Sequence, residues 1–243
     1  MTPSKRADLL LVERGLFDSR ARAQAAIEAG FVRANGELVA KSSATIPDDA
    51  TIESEPAHPW VSRRGVKLSA ALERYPIAIE DRVCVDVGAS TGGFTEVLLA
   101  NGASLVYAID VGRAQLHDSL RGHPKIISKE ETDIRSLAGR RLDIRPDVIV
   151  CDVSFISLKQ VLPPALELAA APTEILALIK PQFEAGREHL KKGIVRDEAV
   201  HRAVCDDIAA FASTLGCTNI DIFPSAIAGG DGNAEFFLGA RRG

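Results

Sequence analysis

The sequence predicts an α/β protein in which a seven-stranded, largely parallel sheet is covered by helices on both faces and preceded by a small α+β module. Three observations carry this. From Asp81 onward, short apolar runs alternate with helical or turn-rich stretches, the pattern of parallel strands buried on both faces. A glycine-rich turn, Gly88 to Gly93, follows the first of these runs and opens a helical pattern. The last two runs are joined without room for a crossover helix, so they should pair antiparallel.

In chain order, Leu9, Leu10, Val12 and Leu16 mark a first helix that ends near Gly15. A second begins at Asp18 or Ser19, either a good N-cap, buries Ala23, Ala26 and Ile27, and stops at Gly30. Val32 to Val39 then places Asn35-Gly36 between alternating strands, a strong hairpin signal. Arg20 and Arg22 occupy the first helical turn, where the macrodipole disfavours cations by roughly 0.3–1 kcal/mol each. A phosphate backbone would offset that cost, and Arg6, Arg14, Arg33 and Lys41 extend the patch. Solvated surface arginines are the alternative, because Asp18, Glu28 and Glu37 dilute the charge.

Arg6 to Leu16, the segment Asp18-Ser19-Arg20-Ala21-Arg22 and Gly30 to Gly36 closely resemble the RNA-binding domain shared with ribosomal protein S4. The resemblance implies that the arginine-lined helix and hairpin dock on structured RNA. Residues 1–55 are therefore expected to form this module and 56–61 a linker, with a catalytic domain over 62–243. Pro56-Ala57-His58-Pro59-Trp60 breaks helix and strand alike. Its tryptophan reads as a packing anchor between the domains in preference to a ligand contact.

The catalytic-domain strands are expected at Val83–Val87, Leu105–Ile109, Lys125–Ile127, Val148–Cys151, Ile175–Ile179, Ile220–Phe223 and Phe236–Leu238. After the first, Gly88, Gly92 and Gly93 would let backbone approach a ligand, with Ser90, Thr91 and Phe94 beside it at the helix start. The spacing is neither G-x-G-x-x-G nor a P-loop. Asp86 would repel a pyrophosphate yet could hold a cationic amino-acid moiety, which favours S-adenosylmethionine. Asp110 ends the second strand and can accept from both ribose hydroxyls. Asp133 follows the third strand, either to receive an adenine amino group or to cap a helix.

Asp152 and Lys180 end two of the most apolar strands, at the carboxyl edge where open α/β sheets place their sites. A charge there is seldom a packing choice, because isolated burial is expensive. An Asp152–Lys180 salt bridge is the structural alternative. Lys67 precedes the domain on a predicted helix, and Glu235 opens the final strand after a glycine-rich loop. Arg63 and Arg64 beside Lys67, and Arg187, Lys191 and Lys192 beyond Lys180, are further cations that RNA could use, or solvated loop residues.

As a set, Lys67, Asp152, Lys180 and Glu235 resemble the Lys-Asp-Lys-Glu tetrad of FtsJ-like ribose 2′-O-methyltransferases. Ser62 to Leu68, Asp86 to Phe94, Cys151 to Ser157, Lys180 to Glu184 and Gly232 to Phe236 are similar throughout to the TlyA family, some of whose members carry the name haemolysin. The resemblance covers essentially the entire chain. It implies a seven-stranded Rossmann-like class I methyltransferase domain and cytidine 2′-O-methylation of ribosomal RNA. Asp86, Asp110, Asp133 and Asp152 would serve the cofactor. Lys180 would act as general base, oriented by Asp152, with Lys67 stabilising the alkoxide and Glu235 positioning Lys67 or the ribose. Two departures stand out: Gly230-Asp231, where the family usually has Pro-Lys, and His58-Pro59, where Arg-Ala is common.

Composition narrows the rivals. The 243 residues are 46% hydrophobic and 26% charged with a net charge of −4, so any RNA surface is a local patch. The N-terminus lacks the apolar core of an export signal, and no run approaches the roughly 18 apolar residues that cross a bilayer. A cytoplasmic protein is expected, and a membrane-active haemolysin is not. Cys84, Cys151, Cys205 and Cys217 are scattered, which indicates neither zinc nor disulfides. Base methylation would call for a D-P-P-Y/F motif or a nucleophilic cysteine. Asp152-Val153-Ser154-Phe155 lacks the prolines, and Cys151 should face away from Asp152. A ribosome-assembly factor with a dead fold would not need the four charged residues. Ribosomal RNA or ribosomal subunits are the expected partners, with no metal.

Overall fold

In the computed structural model, residues 3–54, 57–229 and 232–243 are described. Glu55 and Pro56 at the start of the predicted linker, and the Gly230-Asp231 departure, lie outside them. The chain divides into two compact units between Pro59 and Trp60.

The first unit opens with β1 (Ser4–Arg6), α1 (Ala7–Glu13) and α2 (Arg20–Glu28). Of the two cap candidates Ser19 caps α2, its hydroxyl accepting from the Arg22 amide. β2 (Val32–Ala34) and β3 (Glu37–Leu38) form the predicted hairpin. Both turn residues are left-handed, Asn35 at φ 51° and Gly36 at φ 80°, as a tight hairpin turn requires. Two pairings have no periodic signature in the sequence: β4 (Thr45–Pro47) with β1, and β5 (Ile52–Ser54) with β2. Leu10, Leu11, Phe17, Ala23, Ile27 and Val32 make the core.

The second unit runs α3 (Arg63–Arg74), β6 (Val83–Val87), α4 (Gly93–Ala100), β7 (Leu105–Ile109), β8 (Ile126–Lys129), β9 (Val148–Cys151), α5 (Leu158–Leu168), β10 (Thr173–Ile179), α6 (Pro181–Glu184), α7 (Glu198–Thr214), β11 (Cys217–Pro224) and β12 (Phe236–Arg242). Short 3₁₀ turns follow β8 and α6. The seven strands form one sheet in the order β11-β12-β10-β9-β6-β7-β8. Only β12 runs against its neighbours. Order reverses beside β6, so its carboxyl end and that of β9 form the topological switch point.

Alternation along the strands builds two cores. Val85, Val87, Ile149, Cys151, Ile175 and Ile179 pack with Leu158, Leu162 and Ile208 of α5 and α7. Cys84, Val148, Val150, Leu176, Leu178 and Phe237 pack with Leu68 of α3 and Phe94 and Leu98 of α4. Trp60 joins this second core: a Cβ on Gly65 would stand 2.5 Å from its side chain. Val61 donates its amide to Glu96 and is buried with Leu116 and Leu120. These last residues of the predicted linker are therefore packing elements of the second unit.

Candidate active site

Strand parity decides which charged residues meet. Cys151 and Ile179 face α5, so Asp152 and Lys180, one residue on, fall on the α3 side. Phe236 also packs toward the α5 core and Phe237 toward the other, which puts Glu235 on the α3 side too. The last antiparallel pair of β10 and β12 is Ile179 with Phe236. One step beyond it stand Lys180 and Glu235, and α3 brings Lys67 to the same face.

All four side chains are buried, and they form two ion pairs. Lys180 Nζ lies 2.5 Å from Asp152 Oδ1 and donates to Ser154 Oγ at 3.0 Å. Lys67 Nζ lies 2.5 Å from Glu235 Oε2. Such pairs contribute little net stability after desolvation, but losing one partner leaves an uncompensated charge. Glu235 precedes β12 instead of opening it, in a loop where a Cβ on Gly229 would stand 2.6 Å from its carboxylate. Asn233, also buried, accepts from the Val195 amide and donates to the Gly193 carbonyl, tying that loop to the basic segment after α6.

A cleft of about 360 Å³ opens at the switch point, within the size range of small-molecule sites. Gly88, Ser90, Asp110, Asp133 and Asp152 line it, with Val87, Ile109, Ile134 and Val153 as apolar walls. Asp110 is held by two amides, Ser90 N–H and Gly112 N–H, each at 2.7 Å. A nucleoside diol fits that carboxylate, and a cationic tail fits the oxygens of Gly88 and Asp152 at the other end. This set of acceptor oxygens suits a cationic nucleoside.

Other predicted cofactor residues take supporting places. Gly88 is left-handed at φ 85°, and a Cβ there would stand 2.5 Å from the Asp152 carbonyl, so the glycine permits strand contact. Gly93 is needed where α4 meets α3, since its Cβ would clash with Ser62 Oγ. Gly92 packs on Leu116 and Leu120, Thr91 accepts from the His117 amide, and Phe94 is a core residue stacked on Phe237. Asp133 caps the 3₁₀ turn and is gripped by Arg135, whose guanidinium lowers its pKa. The capping alternative is thus what the carboxylate does here, while it still lines the cleft.

Asp86 lies beneath the cleft, fully buried, with one oxygen bonded to the Thr95 hydroxyl at 2.7 Å. Burial pushes its pKa up to about 7, against opposing pulls from Thr95 and Arg64. The native state therefore holds this proton more tightly than the unfolded chain. Stability from the protonated form is complete below the unfolded value of 3.8 and is lost as pH rises toward 7, by about 4 kcal/mol. Asp86→Asn should be relatively more stable at pH 8 than at pH 5. Thermal melts of both proteins at the two pH values check this, and a gap that does not widen with pH would refute it.

Burial also raises the Cys151 thiol, which faces α5 and is inert. Glu184, the last residue of the motif that begins at Lys180, is raised by burial too. It accepts from Ser157 and Leu158, fixing the start of α5 against α6. Ser154 and Arg64 are the site residues whose roles the sequence did not disclose. Ser154 lies within the motif Cys151 to Ser157 without a role of its own there, and Arg64 counts in the sequence among the cations that RNA could use. The structure instead turns Arg64 into the cleft, 3.3 Å from Asp152 Oδ2 and 2.9 Å from the Gly88 carbonyl.

In the first unit Asp8 is completely buried and shared by Arg6, Arg20 and Gln24. Arg14 donates to the Asp48 and Ala50 carbonyls, Arg22 pairs with Asp18, and Arg33 bonds Gly36. These contacts orient the arginines, and Arg6 and Arg20 remain about half exposed. Lys41 is exposed in the same unit. In the second, Arg63 reaches the Ala228 carbonyl, while Arg187, Lys191 and Lys192 are exposed. Among the described residues no cluster of His, Cys, Asp or Glu could hold a metal, and no helix is long and apolar enough to cross a membrane.

The pattern of FtsJ-like methyltransferases matches residues 60–242. The chain is 41% identical to the 16S/23S rRNA (cytidine-2′-O)-methyltransferase TlyA of Mycobacterium tuberculosis, over 99% of this chain and 91% of the relative. It is 37% identical to Hemolysin A of Brachyspira hyodysenteriae, over 95% and 97%. A solved chain from Streptococcus thermophilus that carries the name hemolysin superposes with TM-score 0.77 at 39% identity, covering 100% of this chain and 90% of that one. A fibrillarin/Nop5p complex chain shares the fold at TM-score 0.53 and 15% identity, over 79% and 85%.

Proposed function

The chain belongs to the FtsJ-like methyltransferase family, and from that premise we propose that it methylates the ribose 2′-hydroxyl of cytidine in ribosomal RNA, in the cytoplasm. One observation carries the ribose reading: two buried lysine–carboxylate pairs stand beside the cleft at the strand ends. A ribose hydroxyl is a poor acid and must lose its proton to become a nucleophile, so the site needs a base and close alignment. The N-terminal unit, with Arg6, Arg14, Arg20, Arg22, Arg33 and Lys41, would carry the RNA, and Arg63, Arg187, Lys191 and Lys192 would meet its phosphates.

S-adenosylmethionine, when bound, supplies an electrophilic methyl. Asp110 would accept from its ribose hydroxyls, and Gly88, Asp133 and Asp152 would hold its remaining polar groups. The resting Lys180 ammonium first gives up a proton to solvent; its neutral amine, fixed by Asp152 and Ser154, then takes the hydroxyl proton as the oxygen attacks the methyl. Lys67 stabilises the developing alkoxide, and Glu235 positions Lys67.

Phe155 supports an RNA substrate whose target base is unstacked. It stands at the cleft rim, 90% exposed, at φ 64°, with its ring 5.0 Å from Phe183. A bulky residue so strained and so exposed is an outlier that packing does not explain. Stacking on a base does explain it, and Phe155→Ala should lower kcat/KM roughly 5- to 150-fold; an equal loss of cofactor affinity would assign the ring to the cofactor's adenine instead, since Phe155 lines the cleft.

Methyl-labelled S-adenosylmethionine and isolated ribosomal subunits test the function. Digested RNA should carry label as 2′-O-methylcytidine, whereas label on a base would overturn the ribose reading. Binding to subunits without any transfer would favour an assembly factor.

A further inference from the structure

Arg64 stands on three oxygens at the carboxyl ends of β6 and β9. Nε faces Asp152 Oδ2 at 3.3 Å, and Nη1 faces the Gly88 carbonyl at 2.9 Å and the Asp152 carbonyl at 3.5 Å. These oxygens line the cleft and offer only lone pairs, so they select a cation. Lys180 uses the other carboxylate oxygen of Asp152. Arg64 can therefore leave without breaking the Lys180–Asp152 pair.

The stem of Arg64 is pinned where α3 meets α4, since a Cβ on Gly93 would stand 3.0 Å from Arg64 Cβ. The side chain nevertheless keeps 28% of its surface open, so the head has an outward path. We propose that Arg64 is a resident counter-ion that occupies the seat of the ammonium group on the cofactor's amino-acid tail, and that the cofactor must displace it to bind. This rests on the S-adenosylmethionine reading above. Two cations cannot share the same three oxygens without mutual repulsion, and Lys67, one helical turn away, adds to it. The contacts to the three oxygens use Nε and Nη1 alone, so a link from Nη2 to the tail's carboxylate would give the opposite result, weaker binding of S-adenosylmethionine by neutral variants.

Calorimetric titration of the full chain with two probes tests this. S-adenosylmethionine carries the cationic tail, and methylthioadenosine has the same nucleoside without it. Arg64→Gln should bind S-adenosylmethionine about tenfold tighter or more, with methylthioadenosine unchanged. Arg64→Met, which fills the space without charge, should behave likewise, and Arg64→Lys should stay near the wild type. Equal or weaker binding of S-adenosylmethionine by the neutral variants would overturn the proposal, as would an equal gain for methylthioadenosine. Binding of neither probe by any of the proteins, wild type included, would instead overturn the cofactor reading on which the proposal rests.

Discussion

Lys180→Ala is expected to slow methyl transfer by about 10²–10⁴-fold, the usual contribution of a positioned general base. Lys180 ends β10, its amine fixed between Asp152 Oδ1 and Ser154 Oγ. Alanine removes the amine but leaves the cleft walls, so the dissociation constant for S-adenosylmethionine should change far less than the rate. Single-turnover assays with labelled cofactor give the first quantity and calorimetry the second. The substitution also removes one cation from the buried Asp152 carboxylate. Arg64, on the other oxygen, should soften the resulting loss of stability. A variant that loses cofactor binding in proportion to its rate would show that Lys180 is structural.

The Lys67–Glu235 pair should show the largest effect on stability. Both side chains are buried, and they join α3 to the loop before β12 across 168 residues of sequence. Lys67→Met or Glu235→Gln alone leaves a buried charge unpaired, at about 3–5 kcal/mol. For a chain of this size that corresponds to a melting-point fall of roughly 6–20 °C. The double variant has no unpaired charge and should recover most of that loss. Methyl transfer should remain impaired in all three, because the alkoxide lacks its cation wherever Lys67 is replaced and that cation lacks its anchor in Glu235→Gln alone. Thermal melts and rate assays on the set separate packing from chemistry. A double variant as unstable as the singles would show that the cost is not electrostatic.

The strands most legible in the sequence were those that charge or glycine interrupts. β6, β7 and β9 fall on their expected boundaries because Asp81-Arg82, Asp110 and Asp147 bracket apolar runs. β12 continues beyond its apolar stretch to Arg242, because pairing with β10 extends to Thr173 opposite Arg242 while the side chains at its end reach solvent. β11 begins at Cys217, earlier than expected, with an irregular register between Thr218 and Asp221. No two-residue alternation survives such a shift.

The site was legible in proportion to how much of it sits on strands. A charge at the end of an apolar strand announces Asp152 and Lys180 directly. Lys67 and Glu235 needed the family resemblance, because neither a helix nor a loop fixes direction from sequence alone. Arg64 was visible only as a cation, since its partner Asp152 lies 88 residues away. The glycines of the first turn read as ligand contacts; Gly88 lines the cleft and also packs against the Asp152 carbonyl, while Gly93 packs against α3. Sequence shows that a Cβ is excluded, not what excludes it.

If the Lys180 amine removes the ribose proton, small primary amines should rescue Lys180→Ala. Added ethylamine should restore methyl transfer to ribosomal RNA, and a series of amines of similar size should rescue better as their base strength rises. Wild-type rates in the variant without added amine, or rescue that does not vary with amine base strength, would contradict the account.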